Sequence, residues 1–155
     1  MYSGLWVLAG VVVGTLLNLL VWLVQFRAQR KKEEWTIACE KLEELALLLT
    51  KADELVKNAV TESMVTTDLI TLWREKKFWA DLGLTHARVI VSIYFRNALD
   101  LFERMQAPLF ELSNAVKLLM ERGEFEDRSG LGQFHDKFAS ARVLLLDKCQ
   151  KLLRR

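Results

Sequence analysis

Proline, glycine, cysteine and histidine are all scarce in this chain. One proline and seven glycines among 155 residues leave few positions that interrupt helices or build the turns of a sheet protein, so long helices are expected. Two cysteines, Cys39 and Cys149, stand far apart in sequence, each inside an apolar helical stretch, and imply no disulfide framework. These shortages exclude a disulfide-stabilised domain and favour the all-α class.

Recognisable catalytic motifs are also lacking. The sequence contains no phosphate-binding glycine loop, no G-x-S-x-G elbow and no H-E-x-x-H zinc motif. The side chains left for chemistry are Cys39, Cys149, His86 and His135, and we expect them to lie at different heights along the helices. His135 and Asp136 are neighbours in sequence, and adjacent helical side chains point about 100° apart. We predict no catalytic, cofactor or metal site and no enzymatic activity.

Charge is absent from the first 26 residues. The uncharged run 5–26 reads LWVLAGVVVGTLLNLLVWLVQF, and its 22 residues at about 1.5 Å each span about 33 Å, enough for a hydrocarbon core of about 30 Å. The tetrapeptide before it has no basic residue, and no small-residue cleavage site follows the run, unlike in a signal peptide. The sequence therefore predicts a retained transmembrane anchor over residues 1–26.

Four basic residues, Arg27, Arg30, Lys31 and Lys32, follow the apolar run directly. The positive-inside rule then places the C-terminal part in the cytoplasm and the N-terminus outside. We expect these residues to contact anionic lipid headgroups, the alternative being that they act only as the topology signal. Residues 33–155 carry the other 18 Lys and Arg against all 20 acids, a net −2, so nucleic-acid binding is not expected.

Small and polar residues form one stripe of the predicted anchor. Gly10 and Gly14 make a G-x-x-x-G pattern, and Asn18 continues it after a further step of four. Glycines let two helices approach closely, and an amide in hydrocarbon gains about 0.6–2 kcal/mol from a partner. We predict homo-oligomerisation through these three residues. The alternative is that glycine is simply common in membrane helices and that Asn18 bonds locally.

Beyond residue 32, apolar residues recur at alternating steps of three and four, which indicates helices. The apolar face is broader than the two-column seam of a dimeric coiled coil, so a helical bundle is expected. The predicted core positions are Trp35, Ala38, Leu42, Leu45, Leu49, Ala52, Val56 and Ala59, then Val91, Phe95, Ala98, Phe102, Met105, Leu109, Leu112, Val116 and Leu119, and finally Leu131, Phe134, Phe138, Ala141, Leu145 and Leu152.

The expected architecture is a single transmembrane helix that continues into an antiparallel, up-down-up-down four-helix bundle over residues 33–155. The periodicity places its helices at about 33–61, 68–82, 86–122 and from 131 onwards.

Three residues are expected to shape the helix boundaries. Gly83 is predicted to end the second bundle helix as a left-handed C-cap residue, and Thr85 to be the N-cap of the next helix. Pro108 lacks a backbone N–H donor and crowds the carbonyl four residues earlier, so we predict a kink or a break there.

Aromatic residues of the second predicted bundle helix indicate a binding surface. The adjacent Phe78 and Trp79 cannot both face one core, and Lys76 and Lys77 precede them. We predict partner contact by Trp73, Phe78 and Trp79, because exposed aromatic residues beside cations are typical of interface hot spots. The alternative is partial burial under a neighbouring helix.

The leading functional hypothesis is a single-pass, membrane-tethered, non-enzymatic interaction or regulatory protein. Its cytoplasmic bundle would dock a protein partner or oligomerise, and its anchor would contact membrane lipid and further copies of the chain. The alternative is an oligomeric pore-forming effector assembled through the transmembrane helix. An enzyme ranks third.

Overall fold

The computed structural model describes residues 3–63, 83–122 and 130–154, and the side chains of 14–61, 83–115, 118 and 130–154. All regular structure in this part is helical, which confirms the all-α class. The elements are α1 (Ser3–Ser63), α2 (Leu84–Tyr94), a 3₁₀ helix (Arg96–Ala98), α3 (Leu99–Arg122) and α4 (Leu131–Leu153). The predicted helix at 68–82 lies outside the described residues. Among the residues whose side chains are described, no helix is both long enough and apolar enough to cross a membrane.

Helix α1 is the longest element and belongs to two compact units. The first unit is Met1–Ala38 and the second is Cys39–Arg155. The helix is assigned without interruption from Ser3 to Ser63, which confirms that the N-terminal helix continues into the first helix of the bundle. The segment that joins them, RAQRKKEE, contains neither glycine nor proline and consists of strong helix formers.

The core of the second unit is built from all four α-helices, and α3 packs against α4. Trp35 was predicted to join this core and does not: 55% of its surface is exposed, because it lies in the first unit, where α1 is the only element. Predicted core positions that are fully or nearly fully buried are Leu45, Leu49, Ala52, Val56, Ala59, Val91, Phe95, Ala98, Phe102, Met105, Leu109, Leu112, Leu131, Phe138 and Leu145.

The third predicted helix is interrupted at Phe95, and Pro108 does not break it. Phe95 has φ −130° and ψ 43°, and the N–H of Ala98 donates to its carbonyl at 2.7 Å to form the 3₁₀ turn. Helix α3 continues through the buried Pro108. The single helix over 86–122 was a wrong prediction, and no break occurs at Pro108; the kink predicted as the alternative stays a prediction. The β-branched and aromatic residues just before Phe95 have low helix propensity. The helix is therefore interrupted there, and the Phe95 ring stays buried.

Gly83 has the predicted left-handed conformation, with φ 64°. A Cβ at this position would lie 3.3 Å from Cδ2 of Leu48, so both the backbone angle and the packing favour glycine. The carbonyl of Gly83 accepts a hydrogen bond from the N–H of Ala87 at 3.0 Å, which makes Gly83 the N-cap of α2. The prediction of Thr85 as the N-cap was therefore wrong.

Candidate functional site

The first unit exposes apolar side chains on every side of its helix. Leu19, Leu20, Val21 and Trp22 are consecutive and so cover a full helical turn, and each is 54–58% exposed. A helix that is apolar all round is typical of an environment without water. The exposed large apolar residues in this stretch are Leu16, Leu17, Leu19, Leu20, Val21, Trp22, Val24 and Phe26.

A ladder of two rings and one cation ends this apolar stretch. The Trp22 and Phe26 rings stack with centroids 5.3 Å apart and an interplanar angle of 14°. The guanidinium carbon of Arg30 lies 5.1 Å from the centroid of the Phe26 ring. Steps of four place the three side chains along one side of the helix, where ring–ring and cation–π contacts each contribute about 0.5–1 kcal/mol. Of these three residues only Arg30 was predicted from the sequence to have a role, as a headgroup contact, and none of the contacts among them was predicted.

The basic segment overlaps the end of this ladder at Arg30, and its side chains are all exposed. Arg27, Arg30 and Lys31 are separated by three and four residues and so share one side of α1. Lys32 points to another side, where the Thr36 hydroxyl donates to the Lys32 carbonyl at 2.9 Å. The exposed positions agree with a role in headgroup contact, which stays a prediction.

The predicted association stripe, Gly10, Gly14 and Asn18, is exposed where the structure describes its side chains. A Cβ added to Gly14 would meet no atom within 4 Å, and Asn18 is exposed. Gly10 belongs to α1, but its surroundings lie outside the described side chains. Association through this stripe stays a prediction.

The predicted partner-contact residues Trp73, Phe78 and Trp79 lie outside the described residues.

A partly buried polar cluster joins α1 to α4 in the second unit, and sequence reasoning missed most of it. Oδ1 of Asp53 lies 3.2 Å from Nε2 of His135, and Oδ2 of Asp53 lies 3.2 Å from Nη2 of Arg142. These three side chains are only 18–20% exposed. The guanidinium also donates to the Thr50 hydroxyl at 3.4 Å. The ring of His135 thus faces Asp53 closely, whereas its contact with the neighbouring Asp136 is longer, at 3.6 Å.

A sequence signal for this cluster did exist. Asp53, His135 and Arg142 each follow a core or core-flanking position directly, and the last two are seven residues apart, as expected for charges that flank a helical seam. Asp53 Oδ1, His135 Nε2 and Arg142 Nε have no hydrogen-bond partner of good geometry. The groups are close but poorly aligned, which suits a contact that fixes the pairing of two helices better than proton transfer.

Substitutions in this cluster are expected to destabilise the bundle, and the losses from two of them should not be additive. Asp53→Ala and Arg142→Ala should each lower the free energy of unfolding by about 1–2 kcal/mol, because each leaves a partly buried charge without its partner. The double variant should lose about 1 kcal/mol less than the sum. Chemical denaturation of the full-length protein in detergent measures all three.

The control is the same set of single and double variants at Arg88 and Glu103, whose ion pair of 3.1 Å is more than half exposed. There the difference between the double-variant loss and the sum of the single losses should be below about 0.5 kcal/mol. Additive losses at Asp53 and Arg142 would contradict an energetic link between them.

Lys41, Glu44 and His86 form a more exposed polar contact. Glu44 accepts a hydrogen bond from Lys41 at 2.6 Å and lies 3.0 Å from Nε2 of His86. The Lys41 hydrogen bond lowers the pKa of the Glu44 carboxyl and raises that of the Lys41 ammonium. Within the described residues, no three His, Cys, Asp or Glu side chains come close enough to hold a metal ion.

Cys149 is fully buried, and burial raises the pKa of its thiol from 9.0 to about 12. The folded protein therefore holds the thiol neutral. The contribution of the buried thiol to stability is complete below about pH 9 and is lost as the pH rises towards 12, because the thiol of the unfolded chain ionises at lower pH than that of the folded chain.

At pH 8 we expect iodoacetamide to alkylate the partly exposed Cys39 and to spare Cys149 until denaturant is added. Peptide mass spectrometry measures both sites, and equal rates in the native protein would contradict the burial of Cys149.

The first unit offers an exposed apolar helix that ends in the ring–cation ladder and the basic segment. The second unit has an apolar core and the polar cluster between α1 and α4. No family model matches the chain, and no curated protein or solved structure is significantly similar to it.

Proposed function

We propose that the protein is a single-pass, membrane-tethered interaction or scaffold protein without enzymatic activity. Residues 1–26 form the anchor and residues 27–32 lie at the lipid headgroups. Residues 33–155 form a cytoplasmic helical bundle that docks a protein partner or oligomerises. The tether acts by raising the concentration of the bundle, and of whatever it binds, at the membrane surface.

The observation that carries this proposal is the full turn of exposed apolar side chains at residues 19–22. Such a surface is costly in water: covering the eight exposed large apolar side chains between Leu16 and Phe26 with hydrocarbon is worth on the order of 10 kcal/mol. The uncharged run begins upstream, at Leu5, which gives a length that matches a bilayer. The proposal of a complete span rests on that sequence.

The orientation follows from charge. Arg27, Arg30, Lys31 and Lys32 adjoin one end of the run, and no Lys or Arg precedes the other. Basic residues are retained on the cytoplasmic side, so the bundle lies in the cytoplasm and the N-terminus outside.

We also propose the antiparallel up-down-up-down arrangement for the bundle. Thr50 contacts Arg142 and Asp53 contacts His135, so residue numbers rise along α1 as they fall along α4. This is the relation expected between the first and last helices of such a bundle.

The test of the tether is extraction and topology of the full-length protein carrying a C-terminal epitope tag. The protein should stay in the membrane pellet after alkaline carbonate treatment. The tag should be digested by protease in inverted vesicles and protected in right-side-out vesicles. Release by carbonate would contradict the anchor, and the opposite protection pattern would contradict the orientation.

The pore-forming effector remains the second candidate, because the Gly14 position is open and an exposed Asn18 follows it on an uncharged helix. Assembly through Gly10, Gly14 and Asn18 would bring several amides together within the bilayer. Expression should leave the membrane potential unchanged if the protein is a tether. Dissipation of the potential that disappears in the Gly10→Leu/Gly14→Leu variant would favour the pore instead.

A further inference from the structure

We propose that Phe26 and Arg30 form a binding site for the phosphate group of an anionic phospholipid, held in place by Trp22. The inference rests on the proposed membrane anchor and names the lipid class that its cytoplasmic end selects. All three residues belong to the first unit and lie on one side of α1, at positions separated by four residues.

The site is organised before any lipid binds. Trp22 stacks on Phe26 at 5.3 Å, which restricts the Phe26 ring, and that ring lies 5.1 Å from the Arg30 guanidinium carbon. An arginine held in this way has lost part of its rotamer freedom already, so less is lost when it binds.

The contact with Phe26 also leaves the chemistry of the guanidinium available. The guanidinium carbon of Arg30 lies over the Phe26 ring, and the five N–H donors of a guanidinium lie within its plane and point outwards. Two parallel N–H donors match two phosphate oxygens, so a planar guanidinium binds phosphate in a bidentate manner that an ammonium group cannot reproduce. The Arg30 side chain is exposed and accessible to such a ligand.

The position of the site fits the phosphate layer of a bilayer. Phe26 is the last residue of the uncharged run, and Arg30 follows about 6 Å further along the helix axis. Tryptophan and other aromatic rings favour the same interfacial depth. Arg27 and Lys31 directly follow Phe26 and Arg30, point about 100° away from them, and add positive charge at the same depth, so a headgroup with net negative charge is favoured over a zwitterionic one.

The test separates a structured site from diffuse charge attraction by using variants that keep the charge. Full-length protein is reconstituted in phosphatidylcholine vesicles, and spin-labelled phosphatidylglycerol and phosphatidylcholine report the preference of the protein-bound lipid for the anionic headgroup. Phe26→Leu and Arg30→Lys should each lower this preference two- to threefold, although the net charge is unchanged. Arg30→Gln should lower it about fivefold, the value for one lost charge near the surface.

The matched control is Arg27→Lys, which makes the same change at a neighbouring exposed arginine and should leave the preference as in the unaltered protein. An excess of inorganic phosphate at constant ionic strength should not displace the labelled lipid. Displacement would show that free phosphate, not a phospholipid, is the ligand, and would overturn the proposal. So would an unchanged preference in Phe26→Leu and Arg30→Lys, because charge alone would then explain the attraction.

Failure of this inference can be told apart from failure of the anchor. Retention of every variant in pure phosphatidylcholine vesicles after carbonate extraction reports on the anchor alone. Retention without any headgroup preference overturns the Phe26–Arg30 site and leaves the anchor standing. Loss of the unaltered protein from these vesicles overturns both.

Discussion

Full-length protein in which Leu16 and Leu20 are both replaced by arginine is expected to leave the membrane fraction. The two positions lie near the middle of the run 5–26 and are 58% exposed. An arginine at the centre of a membrane helix costs about 2.5–3.5 kcal/mol, so two together cost about 5–7 kcal/mol and remove much of the gain from burying the apolar stretch. Carbonate extraction followed by immunoblotting measures the retained fraction, which should fall from nearly all of the protein to a small part.

The matched control adds the same two charges elsewhere. Leu47 and Leu144 are 73% and 61% exposed and belong to the second unit. The Leu47→Arg/Leu144→Arg variant should stay in the membrane pellet like the unaltered protein. Release of both double variants would show that added charge lowers retention wherever it is placed. Retention of both would contradict the idea that residues 16–20 lie in hydrocarbon.

The second large effect is expected in the core of the bundle. Leu145→Ala should lower the free energy of unfolding by about 2–5 kcal/mol, because Leu145 is fully buried and its truncation leaves a cavity. The adjacent Leu144 is 61% exposed, and Leu144→Ala should change stability by less than about 0.5 kcal/mol. Thermal unfolding of full-length protein in detergent, followed by circular dichroism, should show a fall of about 10 °C for the first variant alone.

The two leucines differ only in which side of α4 they occupy, so they make a strict comparison. Similar losses in both variants would contradict the packing of α4, because only Leu145 lies in the core. A loss at Leu144 alone would mean that α4 is rotated by about 100°, the angle between adjacent helical residues.

The steps of three and four predicted the apolar core well, for a physical reason. Burial of a helix side depends on a periodicity that the sequence displays directly, and so Leu45, Leu49, Phe102 and Phe138 were assigned to the core correctly. The same pattern failed at Trp35, since a pattern cannot tell where the neighbouring helices end.

Helix interruptions were harder to predict. Pro108 has the strongest local reason to break a helix, yet α3 continues through it. The interruption falls at Phe95, in a stretch where a continuous apolar periodicity favoured helix. At both positions local helix propensity competes with tertiary packing. Whether the helix is interrupted depends on which neighbouring side chains can pack against it there.

For the candidate sites too, some features follow from the sequence alone and others depend on the tertiary structure. The sequence alone determined the uncharged run, the basic segment after it and the absence of catalytic motifs, because each depends only on composition and order along the chain. Only the tertiary structure decided that Asp53 of α1 meets His135 and Arg142 of α4. That contact joins residues more than 80 positions apart, and its partners are set by how two helices pack, which local sequence does not encode.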